Sequence, residues 1–286
     1  MVTTDLDQAL IDDMTRVVAQ ALAEDLGNGD LTAALISDGA RSHARVVTRE
    51  AAVLCGAPWF DEVFRQLDAD IDVRWHRSDG DSIEAGTIVC ELNGPSRPIL
   101  SGERTALNLL QMLSGTATAT RAYTSAIAGT RAQILDTRKT VPGLRLAQKY
   151  AVRCGGGTNH RVGLYDAVLI KENHIAAAGG ISAAVEAAAA RAESVMIEIE
   201  VESLEQLDDA LTTAADRLLL DNFSIDDLAK AVERRNASLN ASIELEASGN
   251  ITLANVREIA ETGVDYISVG AITKNVTATD YSMRFE

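Results

Sequence analysis

The feature that most constrains the fold is a series of six short apolar runs in the second half of the chain. Each run ends in a polar residue or glycine, and helical stretches separate the later ones. The runs are Ile134-Leu135, Ala167–Ile170, Met196–Ile199, Leu218–Leu220, Ile243–Leu245 and Tyr266–Val269. This alternation predicts parallel strands joined by right-handed helical crossovers, and therefore either an α/β barrel or a doubly wound sheet.

The residues that follow these runs favour the barrel. Functional side chains or glycines follow every run, and they include Arg138, Lys139, Lys171, Glu200, Asp221, Ser248 and Gly270. In a barrel the carboxyl ends of all strands converge on one mouth, whereas an open sheet would spread them along an edge. We therefore predict an α/β barrel over residues 115–274.

The first part of the chain predicts a smaller α/β domain over residues 1–114. An amphipathic helix opens it, because Leu6, Met14 and Leu22 fall at helical spacing. Strand-like runs and a short helix follow, at residues 44–48, 52–55, 57–67, 71–75 and 87–92. Helix N-caps are expected at Ser101, which would open a long helix, and later at Ser203 and Ser224.

The composition is that of a globular protein with a sizeable core, since 47% of the 286 residues are hydrophobic and 24% are charged. No apolar stretch is long enough to span a membrane, and Met1–Gln8 lack the basic start and apolar run of a secretory signal. The three cysteines are scattered, which predicts free thiols rather than disulfides or a zinc site. We therefore expect a cytoplasmic protein.

The charge is distributed unevenly along the chain. The overall net charge of −16 argues against binding to nucleic acid or to an anionic membrane. Residues 138–171 nevertheless carry seven basic side chains and only one acid, Asp166. Such a basic segment repels itself unless an anion lies within it. The alternative is a solvated basic face whose charge complements that of acidic helices elsewhere in the chain.

The predicted mouth combines cations, acids and two small-residue turns. Arg138, Arg161 and Lys171 would suit a ligand with several carboxylates or phosphates, and His160 would contact the same ligand. Glu200 and Asp221 fit sugar hydroxyls, Mg²⁺ or a developing positive charge, or else form ordinary salt bridges at strand ends. The turns that could hold a phosphate are Ser248-Gly249-Asn250 and Gly270-Ala271.

Taken together, the motifs resemble those of the quinolinate phosphoribosyltransferase family over nearly the whole chain. The most specific segments are Asp136–Arg145 and Asn159-His160-Arg161 at this separation. Other matching segments include Glu103–Asn108, Lys171–His174, Leu220-Asp221-Asn222 and Glu246–Gly249. The sequence departs from the family pattern at Asn250, where glycine is common, and at Thr273-Lys274-Asn275, where Thr-His-Ser is usual.

The resemblance implies both a fold and a reaction. The fold would be an incomplete parallel α/β barrel of the type II phosphoribosyltransferases with an N-terminal sandwich-like domain, onto which residues 275–286 pack. The reaction would transfer the phosphoribosyl group of 5-phosphoribosyl-1-pyrophosphate to quinolinate with decarboxylation. It would give nicotinate mononucleotide, pyrophosphate and CO₂, and it would require Mg²⁺.

The resemblance also implies residue roles. Arg138, His160, Arg161 and Lys171 would hold quinolinate, and Arg104 would reach in from the other subunit of a homodimer. Lys139 would meet the pyrophosphate, and Glu200 and Asp221 the ribose and Mg²⁺. The 5-phosphate would lie on Ser248, Gly249, Asn250, Gly270 and Ala271. Catalysis would rest on Lys139, Lys171, Glu200 and Asp221.

Two other functions fit part of the pattern. A paralogous phosphoribosyltransferase, such as the molybdenum-transport-associated homologue, would share the fold and act on another substrate. A phosphometabolite sensor would keep the barrel without catalysis. The complete set of Arg104, Arg138, Arg161 and Lys171 favours a dicarboxylate substrate, and Glu200 with Asp221 argues against a pure binding protein.

Overall fold

The computed structural model describes residues 6–191 and 194–286. It divides into two compact units. The first contains the chain up to Arg121 together with Thr140–Gly156 and Ile272–Glu286, and the second contains Ala122–Lys139 and Gly157–Ala271. The domain boundary expected between residues 114 and 115 stays a prediction.

The described chain forms ten α-helices and twelve strands. The helices are α1 (Gln8–Leu26), α2 (Ala57–Leu67), α3 (Ser96–Ala126), α4 (Arg145–Cys154), α5 (Glu172–Ala178), α6 (Ile181–Ala189), α7 (Leu204–Ala210), α8 (Ile225–Ala237), α9 (Val256–Glu261) and α10 (Ala271–Lys274). The strands are β1 (Arg41–Thr48), β2 (Ala52–Val53), β3 (Asp72–Trp75), β4 (Ser82–Ile83), β5 (Ile88–Pro95), β6 (Gln133–Leu135), β7 (Val168–Ile170), β8 (Ile197–Val201), β9 (Arg217–Asp221), β10 (Glu244–Ser248), β11 (Tyr266–Ser268) and β12 (Tyr281–Phe285).

The first unit is built on an antiparallel sheet, which confirms the small α/β domain. Its strand order is β12-β1-β5-β3, so the last strand of the chain pairs with the first. The amphipathic α1 buries Met14 and Leu22, as their spacing predicts. Trp59 and Phe60 of α2 are fully buried in the same core, and burial of large aromatic side chains is a major source of stability.

The expected start of the long helix was wrong. α3 begins at Ser96, and Ser101 lies inside it. Pro98 is compatible with this because proline is tolerated in the first helical turn, where an N–H would have no intrahelical partner. The Ser101 hydroxyl donates instead to Asp30 Oδ2 at 2.8 Å. Tertiary contact, and not capping, explains this serine.

The second unit contains one parallel six-stranded sheet, and all six apolar runs supply its strands. The order is β6-β11-β10-β9-β8-β7. Strands β7 to β11 are neighbours in chain order and β6 returns beside β11, which is the order of a barrel. Within the described strands, β6 does not pair with β7, so the barrel is incomplete, as the resemblance implied.

The helices that cross between these strands start where expected. Ser203 accepts a hydrogen bond from the backbone N–H of Gln206, and Ser224 accepts one from that of Asp227. These caps satisfy backbone donors that the first helical turn leaves without partners. In the described chain, no helix combines the length and apolar character needed to cross a membrane.

Gly115 offers a test of the packing around α3. Glycine inside a helix is normally less favourable than alanine by about 1 kcal/mol. Here, however, a Cβ at residue 115 would lie 2.1 Å from the carbonyl oxygen of Thr277. We expect Gly115→Ala to lower the free energy of unfolding by about 1–3 kcal/mol, as overpacking does. Denaturant titration measures this change.

The matched control is Gly39→Ala, because a Cβ at residue 39 would meet nothing within 4 Å. Its effect should stay within about 0.5 kcal/mol, as for a surface substitution. If Gly115→Ala were as stable as this control, the close approach to Thr277 would be contradicted.

Candidate active site

The site is organised by the period-two alternation of the parallel strands. Residues two apart on a strand point to the same face. On β8 this face carries Glu198 and Glu200, and on β10 it carries Glu246 and Ser248. The strand register aligns Asp221 with Ser248, and Lys171 follows β7 one position beyond the Ile170–Ile199 pair. Side chains from separate strands therefore meet in successive layers.

At the carboxyl ends of the strands these layers open into a cavity of about 550 Å³. Ten of the residues predicted for the site line it: Arg138, Lys139, His160, Arg161, Lys171, Glu200, Asp221, Ser248, Gly249 and Asn250. The structure thus places the cationic side chains and the two acids in one shared cavity. Their individual roles remain predictions.

Three predicted site residues lie outside this lining. Gly270 borders it, because a Cβ there would lie 3.1 Å from Lys139 Cδ. Ala271 is the first residue of α10. Arg104 belongs to the first unit, where it is exposed on α3 and lines a separate cavity of about 170 Å³ with Glu24 and Asp25.

On the cationic side of the cavity, like charges lie close enough to repel each other. Partial burial lowers the pKa of Arg161, and the nearby charge of Arg138 lowers it further. Lys171 Nζ lies 2.5 Å from Glu200 Oε2. The register explains this ion pair, because Lys171 follows β7 at the level of Glu200. Two arginines held close together favour the binding of an anion between them.

His160 connects this cationic side to the layer below it. Its Nδ1 accepts a hydrogen bond from the backbone N–H of Arg161 at 2.7 Å, so Nε2 must carry the ring proton. Nε2 lies 2.9 Å from Glu198 Oε2. The buried Asp136 accepts from the backbone N–H of His160 and from the side-chain amide of Asn159. The histidine is therefore fixed in orientation and tautomer.

The layer below consists of two carboxyl groups that are fully buried, Glu198 and Glu246. Burial raises the pKa of Glu246 to about 8, and the charge of Glu198 adds to the rise. Burial also raises the pKa of Glu198. Arg217 approaches Glu246 at 3.5 Å while it binds Glu244 at 2.8 Å. We call Glu198 and Glu246 the acid floor of the cavity.

The sequence reasoning missed the acid floor and one more acid. Glu198 and Glu246 share the strand phase of Glu200 and Ser248, so period-two alternation was the available signal. Glu202 continues the same phase. Its carboxylate oxygen lies within 4.8 Å of those of Glu200 and Asp221, and such a cluster of oxygen ligands is typical of a site for a hard divalent cation.

The turn after β10 has the geometry of an anion-binding loop. Gly249 has a φ of 97° and Asn250 a φ of 52°, both in the left-handed region. Successive N–H groups in such turns can point at one anion. At the end of β7, His174 Nδ1 accepts a hydrogen bond from the backbone N–H of Lys171 at 2.9 Å.

Comparisons with known proteins agree in pointing to one family. The description "Quinolinate phosphoribosyl transferase, N-terminal domain" matches residues 30–114 and the corresponding C-terminal domain matches residues 116–284. A probable nicotinate-nucleotide pyrophosphorylase (carboxylating) of Bacillus subtilis is 44% identical, covering 91% of this chain and 89% of that protein. A protein of the same description from Synechocystis is 42% identical, covering 93% and 90%.

The solved structures include a nicotinate-nucleotide pyrophosphorylase from Francisella tularensis. It superposes with a TM-score of 0.92 at 48% identity and covers 96% of both chains.

The acid floor predicts a characteristic dependence of stability on pH. Because the pKa of Glu246 is raised from 4.5 to about 8, the folded protein retains a proton that the unfolded chain releases. This contribution to stability is fully present below pH 4.5 and is lost as pH rises through about 8. Glu246→Gln mimics the protonated carboxyl group and should avoid that loss.

We therefore expect the Tm of Glu246→Gln, relative to the unmodified protein, to rise by about 2 °C or more between pH 5.5 and pH 8.5. Glu261→Gln, at an exposed position of α9, serves as the control and should show no such trend. A difference for Glu246→Gln that is independent of pH would show that Glu246 is ionised throughout.

Proposed function

The chain belongs to the quinolinate phosphoribosyltransferase family, and on that premise we propose that it transfers the phosphoribosyl group of 5-phosphoribosyl-1-pyrophosphate to quinolinate. The products are nicotinate mononucleotide, pyrophosphate and CO₂, in the biosynthesis of NAD. The observation that carries the proposal is the shared cavity, in which Arg138 and Arg161 face the same space as Glu200 and Asp221.

Quinolinate is bound by the cationic side. Its two carboxylates match the guanidinium groups of Arg138 and Arg161, which can bind a carboxylate with two parallel hydrogen bonds. Lys171 adds a point charge. His160 supports this side, since it accepts the backbone N–H of Arg161. Partial burial and the charge of Arg138 lower the pKa of Arg161, and an anionic substrate relieves the repulsion between the two arginines.

The phosphoribosyl donor occupies the rest of the mouth. Its 5-phosphate lies on the turn Ser248-Gly249-Asn250 and near Gly270 and Ala271, where α/β barrels commonly bind phosphate. Lys139 meets the pyrophosphate. The ribose lies over Glu200 and Asp221, whose carboxylates accept hydrogen bonds from sugar hydroxyls.

The charges of the cavity suit both chemical steps. The ring nitrogen of quinolinate attacks the anomeric carbon as the bond to pyrophosphate breaks, and positive charge develops on the sugar. Glu200 and Asp221 stabilise that charge in the transition state. The bond to the departing CO₂ then breaks, and the electron pair left on the ring carbon takes up a proton. The alkylated ring nitrogen and nearby Lys171 stabilise that negative charge.

The oxygen cluster of Glu200, Glu202 and Asp221 fits the Mg²⁺ that the family resemblance implies, because hard cations prefer carboxylate ligands and retained waters. Bound Mg²⁺ would neutralise phosphate charge and favour the departure of pyrophosphate. The ion pair between Lys171 and Glu200 also orients this carboxylate.

We further propose a homodimer in the cytoplasm. Arg104 is exposed on α3 and outside the lining of the mouth, so it is available to the cavity of a second subunit. The three cysteines are free and buried, which is typical of proteins from a reducing compartment.

The reaction is tested by incubating the protein with quinolinate, donor and Mg²⁺ and by following nicotinate mononucleotide and CO₂. We expect both products in equal amounts, and no product when nicotinate replaces quinolinate. Donor and quinolinate binding without product would instead establish a sensor. Equal or better use of another acceptor would establish a paralogous transferase.

Arg161→Ala tests the binding of the dicarboxylate. We expect quinolinate affinity to fall at least about 100-fold, because a charge-assisted contact in a partly buried site is lost, while donor affinity changes little. Calorimetry with each substrate alone measures both. Arg257→Ala, at an exposed site on α9, is the control. An equal loss of affinity for both substrates would contradict the assignment of Arg161.

Subunit mixing tests the shared site. Arg104→Ala and Lys171→Ala should each abolish activity as pure proteins. After random mixing, one intact site forms in each mixed dimer, so activity should recover to about a quarter of the normal level. Failure to recover activity, with mixed dimers demonstrated by native mass spectrometry, would contradict a contribution of Arg104 across subunits.

A further inference from the structure

Two asparagines at the mouth have an unusual backbone conformation. Asn222 has a φ of 57° and Asn250 a φ of 52°. In the described chain, Ser194 is the only other residue besides glycine with a positive φ. Asparagine adopts this region more readily than most residues. Asn222 directly follows β9, and Asn250 lies two residues after the end of β10, in the turn of the proposed donor site.

Asn222 uses its backbone and both ends of its side-chain amide. Its backbone N–H donates to the carbonyl oxygen of Ser248 at 2.9 Å. Its Nδ2 donates to Asp221 Oδ2 at 2.7 Å. Its Oδ1 accepts from Asn250 Nδ2 at 3.1 Å. One residue thus joins the acid at the end of β9 to the turn that follows β10.

Gly249 shows how closely this amide packs on the turn. A Cβ at residue 249 would lie 2.2 Å from Asn222 Oδ1, and φ at Gly249 is 97°. A side chain is therefore excluded by both the contact and the backbone conformation. The amide of Asn222 occupies the space that a side chain would need, so the turn and the amide fit together as one unit.

Asn250 is one of the positions where the sequence departs from the family pattern. Glycine would reach the same φ at lower cost, but it would leave the turn free to sample other conformations. Asparagine retains the left-handed conformation and adds the hydrogen bond to Asn222. Asn255 Nδ2 holds the same turn from its other side by donating to the Asn250 carbonyl oxygen at 3.1 Å.

We propose that Asn222 is a positioning residue that fixes the Asp221 carboxylate and the Ser248-Gly249-Asn250 turn relative to each other. The donor is then held at its ribose and at its 5-phosphate by one rigid unit. The hydrogen bond to Oδ2 leaves Oδ1 of Asp221 for the ribose or the cation. This inference rests on the proposed function, because it assigns the turn to the phosphate and Asp221 to the sugar.

The principal test compares Asn222→Gly with the unmodified protein. Glycine accepts a φ of 57° without strain, so the variant removes the side chain without forcing the backbone out of its conformation. Loss of a group that orients a site residue typically costs about tenfold or more. We expect the Kd for the donor with Mg²⁺, measured by calorimetry, to rise about tenfold and kcat to fall about tenfold. The KM for quinolinate should stay within about twofold, since its contacts are untouched.

Asn250→Gly separates the two links. It removes the bond to Asn222 but leaves the bond from Asn222 to Asp221, so the donor Kd should rise roughly two- to fivefold with kcat unchanged. Because both changes break the same link to the turn, the Asn222→Gly/Asn250→Gly double variant should bind the donor no more weakly than Asn222→Gly. Additive losses would overturn the proposal.

Ser194→Gly is the matched control, because it places glycine at another position with a positive φ, 64°, that is exposed and outside the cavity lining. We expect donor Kd and kcat within about twofold of the unmodified protein, and similar Tm values for all variants. The proposal is wrong if Ser194→Gly reproduces the loss seen with Asn222→Gly. It is also wrong if the KM for quinolinate and that for the donor rise together.

These readouts keep the inference separate from the proposed function. Calorimetry of donor binding needs no turnover. If the unmodified protein formed no product while its donor affinity still depended on Asn222, the reaction would be wrong and the coupling of the turn would stand. If turnover were normal and donor affinity did not depend on Asn222, the proposed reaction would stand and the positioning role of Asn222 would be wrong.

Discussion

The structure depends on burying acids directly beneath a cationic surface. Glu198 and Glu246 lie fully buried on β8 and β10, the two strands on either side of β9, where isolated charges would be costly. Proton uptake and the nearby Arg217 reduce that cost. His160 links the acid floor to Arg161, because its Nε2 contacts Glu198 and its Nδ1 accepts the backbone N–H of Arg161. The same layer that fills the barrel interior therefore sets the geometry of the anion site.

This arrangement explains how an acidic chain presents a site for anionic substrates. The net charge of −16 would repel them at long range, yet basic residues concentrate where the strands end. Lys171 is held by Glu200, and Arg161 is held through its own backbone by a histidine of fixed tautomer. Positioned charges in a cavity lose less energy to reorganisation than mobile ones do. Binding selectivity thus follows from local order and not from the overall field.

Much of the fold could be predicted because it depends on local patterns. The apolar runs became the six parallel strands, and Ser203 and Ser224 became helix caps. Ser101 failed as a cap because its partner, Asp30, is distant in sequence, and propensity carries no information about such contacts. The cavity lining was predictable from strand ends. The acid floor was missed because the prediction considered only the residues at the strand ends, and these acids lie two positions earlier. Asn222 was missed because its role depends on contacts with the turn after a neighbouring strand.

The open seam between β6 and β7 has a consequence for how the barrel tolerates change. A closed ring has a circumference fixed by its strand number and stagger, so widening it at one strand strains all the others. Here the described sheet ends at both of these strands, and only an isolated bridge from Leu135 to Thr158 extends β6. Because β6 and β7 do not pair with each other in the described sheet, the gap between them can widen for a larger side chain without breaking a strand pair. The anion-binding ends of β8, β9 and β10 would then keep their mutual register through sequence divergence.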